Sequence, residues 1–193
     1  ADWVPVSTAD HDGDHRADVL LHNAVQGLWR LYKLDGNSVR SSRYLSLKRA
    51  PEWQVVGTSD HNGDGRADLL LRHPADGRWV HYLLAGFAVV GGGPLALNRR
   101  AEWQSVSTSD HDGDGRAYVL LRSATTGRWL LYLLDGKTIL DRGPVPLVED
   151  PDWRVMSTAD HDGDGTGDLL LRHGATGRWW LYGMNGRTVS GPE

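Results

Sequence analysis

The sequence predicts an all-β fold, a β-propeller of four blades of about 50 residues with four strands each. Three observations lead there. A nine-residue acidic loop recurs four times at a spacing of 50 residues: DHDGDHRAD from Asp10, DHNGDGRAD from Asp60, DHDGDGRAY from Asp110 and DHDGDGTGD from Asp160. Between the loops the chain breaks into short apolar segments punctuated by Gly, Pro and Asp-Gly turns, a strand signal. Those segments are apolar on both faces, so each small sheet must be covered on both sides.

The elements of a repeat follow in order. In the second copy they are Trp53–Thr58, the acidic loop, Ala67–Arg72, Arg78–Leu84 and Ala88–Leu97, the last interrupted by Gly91-Gly92-Gly93-Pro94. Alignment on the loop brings Trp3, Trp53, Trp103 and Trp153 to one position and Trp29, Trp79, Trp129 and Trp179 to another. Tyr32, Tyr82, Tyr132 and Tyr182 follow, then Gly36, Gly86, Gly136 and Gly186. Along the third strand Trp129, Leu131 and Leu133 point one way, and Leu130, Tyr132 and Leu134 the other. No helical period survives the turn residues. A β-solenoid is the competing architecture, but its coils are shorter.

Residues 1–193 therefore read as a single propeller domain of repeats 1–50, 51–100, 101–150 and 151–193. Four repeats could close on themselves, pair with a second chain to give eight blades, or be part of a longer array. The fourth stops at Glu193, about seven residues short of a full period.

Composition narrows the function classes. There are no cysteines, so neither disulfides nor a zinc–cysteine site is available. No run of about 18 apolar residues exists to span a membrane. Ala1-Asp2-Trp3 lacks the basic and apolar regions of a signal peptide, so a secreted protein would have lost its signal or carried it elsewhere. The formal charge is −4, yet the loops hold 14 of the 25 acidic residues. Four bound divalent cations would carry the net charge to about +4. The arginines are spread through the repeat rather than clustered in a stripe, which argues against nucleic acid.

The loop itself has the composition of a hard-cation site. Asp60, Asn62 and Asp64 offer oxygens from alternate positions of a tight turn, Gly63 and Gly65 permit the bend, Arg66 offers its carbonyl, and Asp68 closes the loop at the next strand. Ca²⁺, which takes roughly 6–8 oxygens, suits this set better than Mg²⁺, which demands stricter geometry. EF-hands share the acidic spacing but end in a glutamate at position 12. Here that position is Leu21, Leu71, Leu121 or Leu171, inside a strand.

The pattern D-x-[DN]-x-D-G-x-x-D between two strands resembles the calcium loop of FG-GAP and VCBS repeats, known from integrin α-subunit propellers and secreted bacterial proteins. The longer string resembles the bacterial form over essentially the whole chain: W-x-V-x-[GS]-T-x-D-H-[DN]-G-D-G-x-x-D-L-L-L-R, then T-G-R-W-x-x-Y-x-x-x-G. The resemblance implies up to four Ca²⁺ ions. The first would be held by Asp10, Asp12, Asp14, the Arg16 carbonyl and Asp18; the second by Asp60, Asn62, Asp64, the Arg66 carbonyl and Asp68. The third would use Asp110, Asp112, Asp114 and the Arg116 carbonyl, and the fourth Asp160, Asp162, Asp164, the Thr166 carbonyl and Asp168. Tyr118 stands where the third loop should have its closing carboxylate, so that site is expected to be weak or empty. His15 replaces a turn glycine in the first loop, where it is expected to strain the turn.

The expected function is that of a non-catalytic, calcium-binding recognition module of a secreted, extracellular protein. Its partner would be a glycan, bound in lectin fashion, or an extracellular protein. Repeated Gly-Arg-Trp places Arg78, Arg128 and Arg178 beside aromatic positions that could stack on sugars, although the two recurring tryptophan sets read as packing residues. Trp180, present in one copy only, is expected at the surface as a ligand-binding aromatic. An assembly scaffold, including a homodimer, is the alternative reading. A polysaccharide lyase or hydrolase stands behind both, since no catalytic motif is present and the asymmetric Asp141 and Asp150 form no acid–base pair. His11, His61, His111 and His161 share one loop position; they read as packing beside their loops rather than as a shared transition-metal ring.

Overall fold

A computed structural model describes residues 2–47 and 51–191. The protein is all-β, with no helix among the described residues, and is a four-bladed β-propeller in which three blades are four-stranded sheets and the fourth is a three-stranded sheet with a separate hairpin. The blades fall into two compact units, Ala1–Arg99 and Arg100–Glu193, each holding two.

In the first unit, blade one comprises β1 (Trp3–Ala9), β2 (Asp18–Asn23), β3 (Leu28–Asp35) and β4 (Ser38–Tyr44). Blade two comprises β5 (Gln54–Gly57), β6 (Leu69–Arg72), β7 (Trp79–Ala85) and β8 (Ala88–Leu95). In the second unit, blade three comprises β9 (Trp103–Ser107), β10 (Tyr118–Ser123), β11 (Trp129–Asp135) and β12 (Thr138–Pro144). Blade four comprises β13 (Trp153–Ala159), β14 (Asp168–His173), β15 (Trp179–Tyr182), β16 (Met184–Asn185) and β17 (Thr188–Val189). Each blade is an antiparallel meander, and the acidic loop always joins its first and second strands. In blade four Gly183, at the position of Lys33, Leu83 and Leu133, interrupts the third strand, and β16–β17 pairs as a separate hairpin.

Two local devices shape every blade. The third and fourth strands are joined by a two-residue hairpin turn with glycine first, as in Asp35-Gly36-Asn37-Ser38, where Gly36 has φ 58°. Positive φ at that position is what lets the turn match the strand twist. The first and second strands slip register once per blade, between Pro5 and Ser7, Val55 and Gly57, or Val155 and Ser157. This bulge re-aims the residue after it, so Ser7 and Ser107 become buried beneath the acidic loop.

Each unit has its own core. In the first, Leu20, Trp29, Leu31, Leu45, Leu47, Trp53, Leu69, Leu71 and Leu84 pack together. The second repeats the arrangement with Leu120, Trp129, Leu131, Val145, Leu147, Trp153, Leu169 and Leu171. The central strands are buried on both faces, as in Leu69–Leu71 and Tyr118–Leu121.

The tryptophans depart from expectation in one blade. Trp29, Trp79 and Trp129 are buried, but Trp179 is 51% exposed. Trp79 and Trp129 donate indole N–H bonds to the Asn98 and Val148 carbonyls, in the segment after the fourth strand, at 2.9 and 2.8 Å. In blade four that strand is only Thr188–Val189, and the flank of Trp179 is open. Trp180, expected at the surface, is half-buried, stacks on Trp153 with ring centroids 4.1 Å apart and packs against the core of the second unit.

Candidate metal sites

The acidic loops order themselves through their own carboxylates. Asp60 Oδ1 accepts the N–H groups of Asn62, Gly63 and Asp64 at 3.2, 2.7 and 3.2 Å, and Oδ2 accepts that of Gly65 at 2.6 Å. Asn62 Oδ1 in turn accepts the Asp64 N–H, and Asp64 Oδ1 the Arg66 N–H. Asp110 and Asp160 repeat the pattern. The conformation needs positive φ at the sixth position, where Gly65, Gly115 and Gly165 have φ 79°, 85° and 89°. His15 adopts φ 63° there, as the only non-glycine residue with positive φ among the described residues.

The ninth residue brackets the loop to the sheet. Asp68, fully buried, accepts the His61 N–H on Oδ2 at 3.1 Å and the Leu84 N–H on Oδ1 at 3.1 Å. Asp18 does the same with His11 and Leu34, and Asp168 with His161 and Met184. Burial pushes the Asp68 carboxyl up to about 7, with Asp64 and Asp60 adding to the effect and the two N–H bonds opposing it. In the third loop Tyr118 takes the place of this aspartate and donates its phenolic hydrogen to Asp112. Burial first, then that bond and the surrounding carboxylates, raise the phenol above its ordinary range.

The oxygens converge as a cation would require. Asp10, Asp12 and Asp18 present one oxygen each within 4.8 Å of one another, as do Asp110, Asp112 and Asp114, and Asp160, Asp162 and Asp168. All donors are oxygen, so the chemistry fits a hard divalent ion, and these clusters could hold one. The cations already present differ among loops. Lys33 Nζ lies 2.7 Å from Asp12 Oδ2, with Arg40 3.6 Å from Asp14. Although burial opposes ionisation of Asp12, its contacts with Lys33, the Asp14 N–H and Arg40 together hold its pKa below the ordinary value. Arg66 and Arg116 lie 3.4 and 3.3 Å from Asp64 and Asp114 of their own loops. In the fourth loop the Thr166 hydroxyl bonds Asp164 at 2.6 Å and the Met184 carbonyl at 2.8 Å.

Loops one and three also join the two blades of their units. The Ala67 N–H donates to the Asp10 carbonyl and the Gly86 N–H to the His11 carbonyl, both at 2.7 Å. His11 Nδ1 lies 2.7 Å from the Ala67 carbonyl, and Nε2 lies 3.1 Å from Ser7 Oγ. Gly167, Gly186, His111 and Ser107 repeat these contacts in the second unit. His11 and His111 thus use both ring nitrogens locally, as packing residues; His161 is exposed.

The suggested ligand-binding residues do not form one constellation. Arg78 is exposed, pairs with Asp76 at 2.7 Å and lies 5.7 Å from the Trp53 ring centroid. Arg128 is paired with Glu149 at 3.6 Å, and Arg178 is exposed on the strand entry before Trp179. Trp180, half-buried, stacks on Trp153. Asp141 is ion-paired with Arg187 at 3.0 Å, and Asp150 lies 3.4 Å from His173. Sequence reasoning missed Lys33 as a resident cation and His81 as a partner of the second loop. Both stand where other repeats carry other residues, the column comparison that would have found them.

Residues 110–171, which carry loops three and four, match the FG-GAP-like repeat family model. With the four blades, this match supports FG-GAP-type propeller repeats. No curated protein matches the chain. Among solved structures, a chain of the Photorhabdus luminescens Tc holotoxin pore is similar at 16% identity with a TM-score of 0.42. The similarity covers 98% of this chain but 12% of that one, so this chain spans about an eighth of its length.

Proposed function

We propose that this chain is a non-catalytic recognition module of a secreted protein, with blades stabilised by calcium in the acidic loops and a surface that binds glycan. The calcium would be held by the side chains at loop positions 1, 3, 5 and 9 and the carbonyl at position 7. When bound it supplies charge neutralisation and cross-linking of carboxylates, not chemistry. Short loops of partly exposed oxygens suit the weak end of calcium affinity, about 10⁻⁴–10⁻³ M, typical of extracellular modules. An ion bound only by the native state adds stability to a fold without disulfides.

One observation carries the recognition reading: each unit presents the same groove between its blades. In the first it is lined by Val6, His22, Pro51, Trp53 and Val55; in the second by Val106, Arg122, Pro151, Trp153 and Val155. An apolar floor with polar groups at its rim, Glu52 and Gln54 in the first groove and Gln104 and Arg122 in the second, suits a sugar ring with its apolar face and hydroxyl edge, and Arg78 lies against the Trp53 ring. A glycan array followed by calorimetry tests this. Arg78→Ala should weaken binding about fivefold or more, whereas Trp180→Ala should lower the melting temperature, because its ring backs Trp153. Absence of any glycan ligand would overturn the proposal.

A second reading, an assembly scaffold, is favoured by the exposed apolar residues Val39, Val90 and Leu140 on the terminal strands β4, β8 and β12. Such edges invite protein contacts. Light scattering that shows a dimer, together with a blank glycan array, would select it.

A further inference from the structure

The second blade buries a nitrogen-rich pocket unlike the oxygen-only loops. His61, Asp68 and His81 are each fully buried and offer ligand atoms within 4.8 Å of one another. His81 Nε2 lies 3.8 Å from Asp68 Oδ2, and the two imidazole rings meet edge to face with centroids 4.9 Å apart. Among the described residues neither ring nitrogen of His81 has a hydrogen-bond partner, and His61 has none beyond the backbone of Ser59. A neutral imidazole has one donor and one acceptor to satisfy, and buried polar atoms without partners are uncommon and call for a cause.

The repeat shows how the pocket arises. In blades one and three the equivalent histidine rests its Nε2 on Ser7 or Ser107. In blade two that serine is Gly57, so the hydroxyl partner is missing. Opposite, the core leucine seen as Leu31, Leu131 and Leu181 is His81, which sits on β7 across from Leu70. The same blade has therefore lost the group that occupied one imidazole and gained a second imidazole facing it. Each change alone would leave an unsatisfied buried nitrogen; together they make a ligand pair beside a carboxylate.

We propose that His61, Asp68 and His81 form a binding site for a transition-metal ion of the Zn²⁺ class, separate in chemistry from the hard-cation loops. Two imidazoles and one carboxylate are a common zinc donor set, which leaves one position for water or a further ligand. Nitrogen donors disfavour Ca²⁺ and Mg²⁺. Zinc bonds of about 2.0–2.2 Å require the donors to draw together from their present spacing, a side-chain adjustment of roughly 1 Å. Asp68 already has one N–H on each oxygen, which fixes its plane as outer hydrogen bonds do in metal centres.

The test uses untagged, chelator-stripped protein titrated with Co²⁺ and, separately, Zn²⁺. The wild type should bind one ion per chain with a four-coordinate Co²⁺ visible spectrum that Zn²⁺ abolishes in competition. His81→Leu, which restores the residue of the other blades, should fold and lose that ion by about 100-fold or more. Asp68 is shared with the calcium set of its loop and is intact in this variant, so its Ca²⁺ titration should be unchanged. Gly57→Ser should also weaken the site by giving His61 a hydroxyl. A wild type with no such spectrum, or a His81→Leu chain that binds Co²⁺ equally well, would overturn the proposal while leaving the calcium reading intact.

Discussion

The ammonium of Lys33 lies 2.7 Å from a carboxylate oxygen of Asp12, so the first acidic loop contains a cation of its own. Both side chains are largely shielded, at 20% and 11% exposure. No other repeat has a lysine at this position: it is Leu83, Leu133 and Gly183. Lys33→Leu should raise the Ca²⁺ affinity of this loop by about tenfold, the scale of one nearby unit charge at intermediate dielectric. Without calcium the same variant should be less stable, by about 1 kcal/mol, because Asp12 loses its partner. Calorimetric titration and melts with and without Ca²⁺ check both halves. Unchanged affinity would show that the Lys33 ammonium does not compete at this loop.

Removal of bound metal should lower the melting temperature. With free Ca²⁺ at about 100 times a site's Kd, each occupied loop adds about 2.7 kcal/mol, or roughly 5–10 °C for a chain of this size. EGTA should remove that increment and Mg²⁺ should restore little of it. A melt indifferent to EGTA would rule out stabilising calcium.

Tyr118→Asp should give the third loop its ninth carboxylate. The variant loses a buried ring and the bond to Asp112, so its metal-free form should be destabilised by about 2–3 kcal/mol. Its calcium-dependent rise in melting temperature should exceed that of the wild type. An equal rise in both proteins would mean that the ninth position is not a ligand.

His15→Gly should stabilise the first loop. The residue is held at φ 63°, which costs a side-chain-bearing residue about 1–2 kcal/mol, and the greater freedom of an unfolded glycine offsets part of the gain. A net increase of about 0.5–1 kcal/mol in a denaturant melt is expected. A loss of stability would show that the imidazole makes up for the strain.

Stability in excess chelator should fall as the solution is acidified from pH 7 to 4. Desolvation lowers the pKa values of His11, His22, His61, His81 and His111; for His61 it reaches about 3, helped by His81 and opposed by the Ser59 backbone, and for His81 about 4. Below the unfolded value near 6.5 the unfolded chain binds these protons more readily. For these histidines stability is therefore full above 6.5, declines as pH drops through it, and levels only beneath the folded values; the raised carboxyls of Asp68 and Asp18 act the other way and offset part of the decline. His81→Leu should flatten the decline. Parallel slopes for the two proteins would count against a neutral buried His81.

Much of the architecture was legible because it is periodic. In the second repeat, segments read as Trp53–Thr58, Ala67–Arg72, Arg78–Leu84 and Ala88–Leu97 became strands 54–57, 69–72, 79–85 and 88–95, displaced only at their ends. Alternation with a period of two survives any packing that buries both faces. The loops were equally plain, since their ligand oxygens lie within nine consecutive residues. Trp179, read as a packing residue, is half exposed and Trp180, read as a surface residue, is half-buried against Trp153, because adjacent strand residues face opposite sides and which side is covered depends on what lies over it. Lys33 reaches Asp12 from 21 positions away, and His81 meets His61 from 20 away. Neither pairing leaves a mark on any one segment.

By itself, then, the sequence determined the repeat, the strands and the oxygen donors of each loop, all of which depend on local spacing. Only the tertiary structure decided which groups from outside a loop act on it. It placed a lysine on the first and a second buried imidazole beside His61 and the closing aspartate of the second. The physical reason is that a loop's charge and its unmet hydrogen bonds are set by groups that hairpin pairing brings across from the third strand of the same blade.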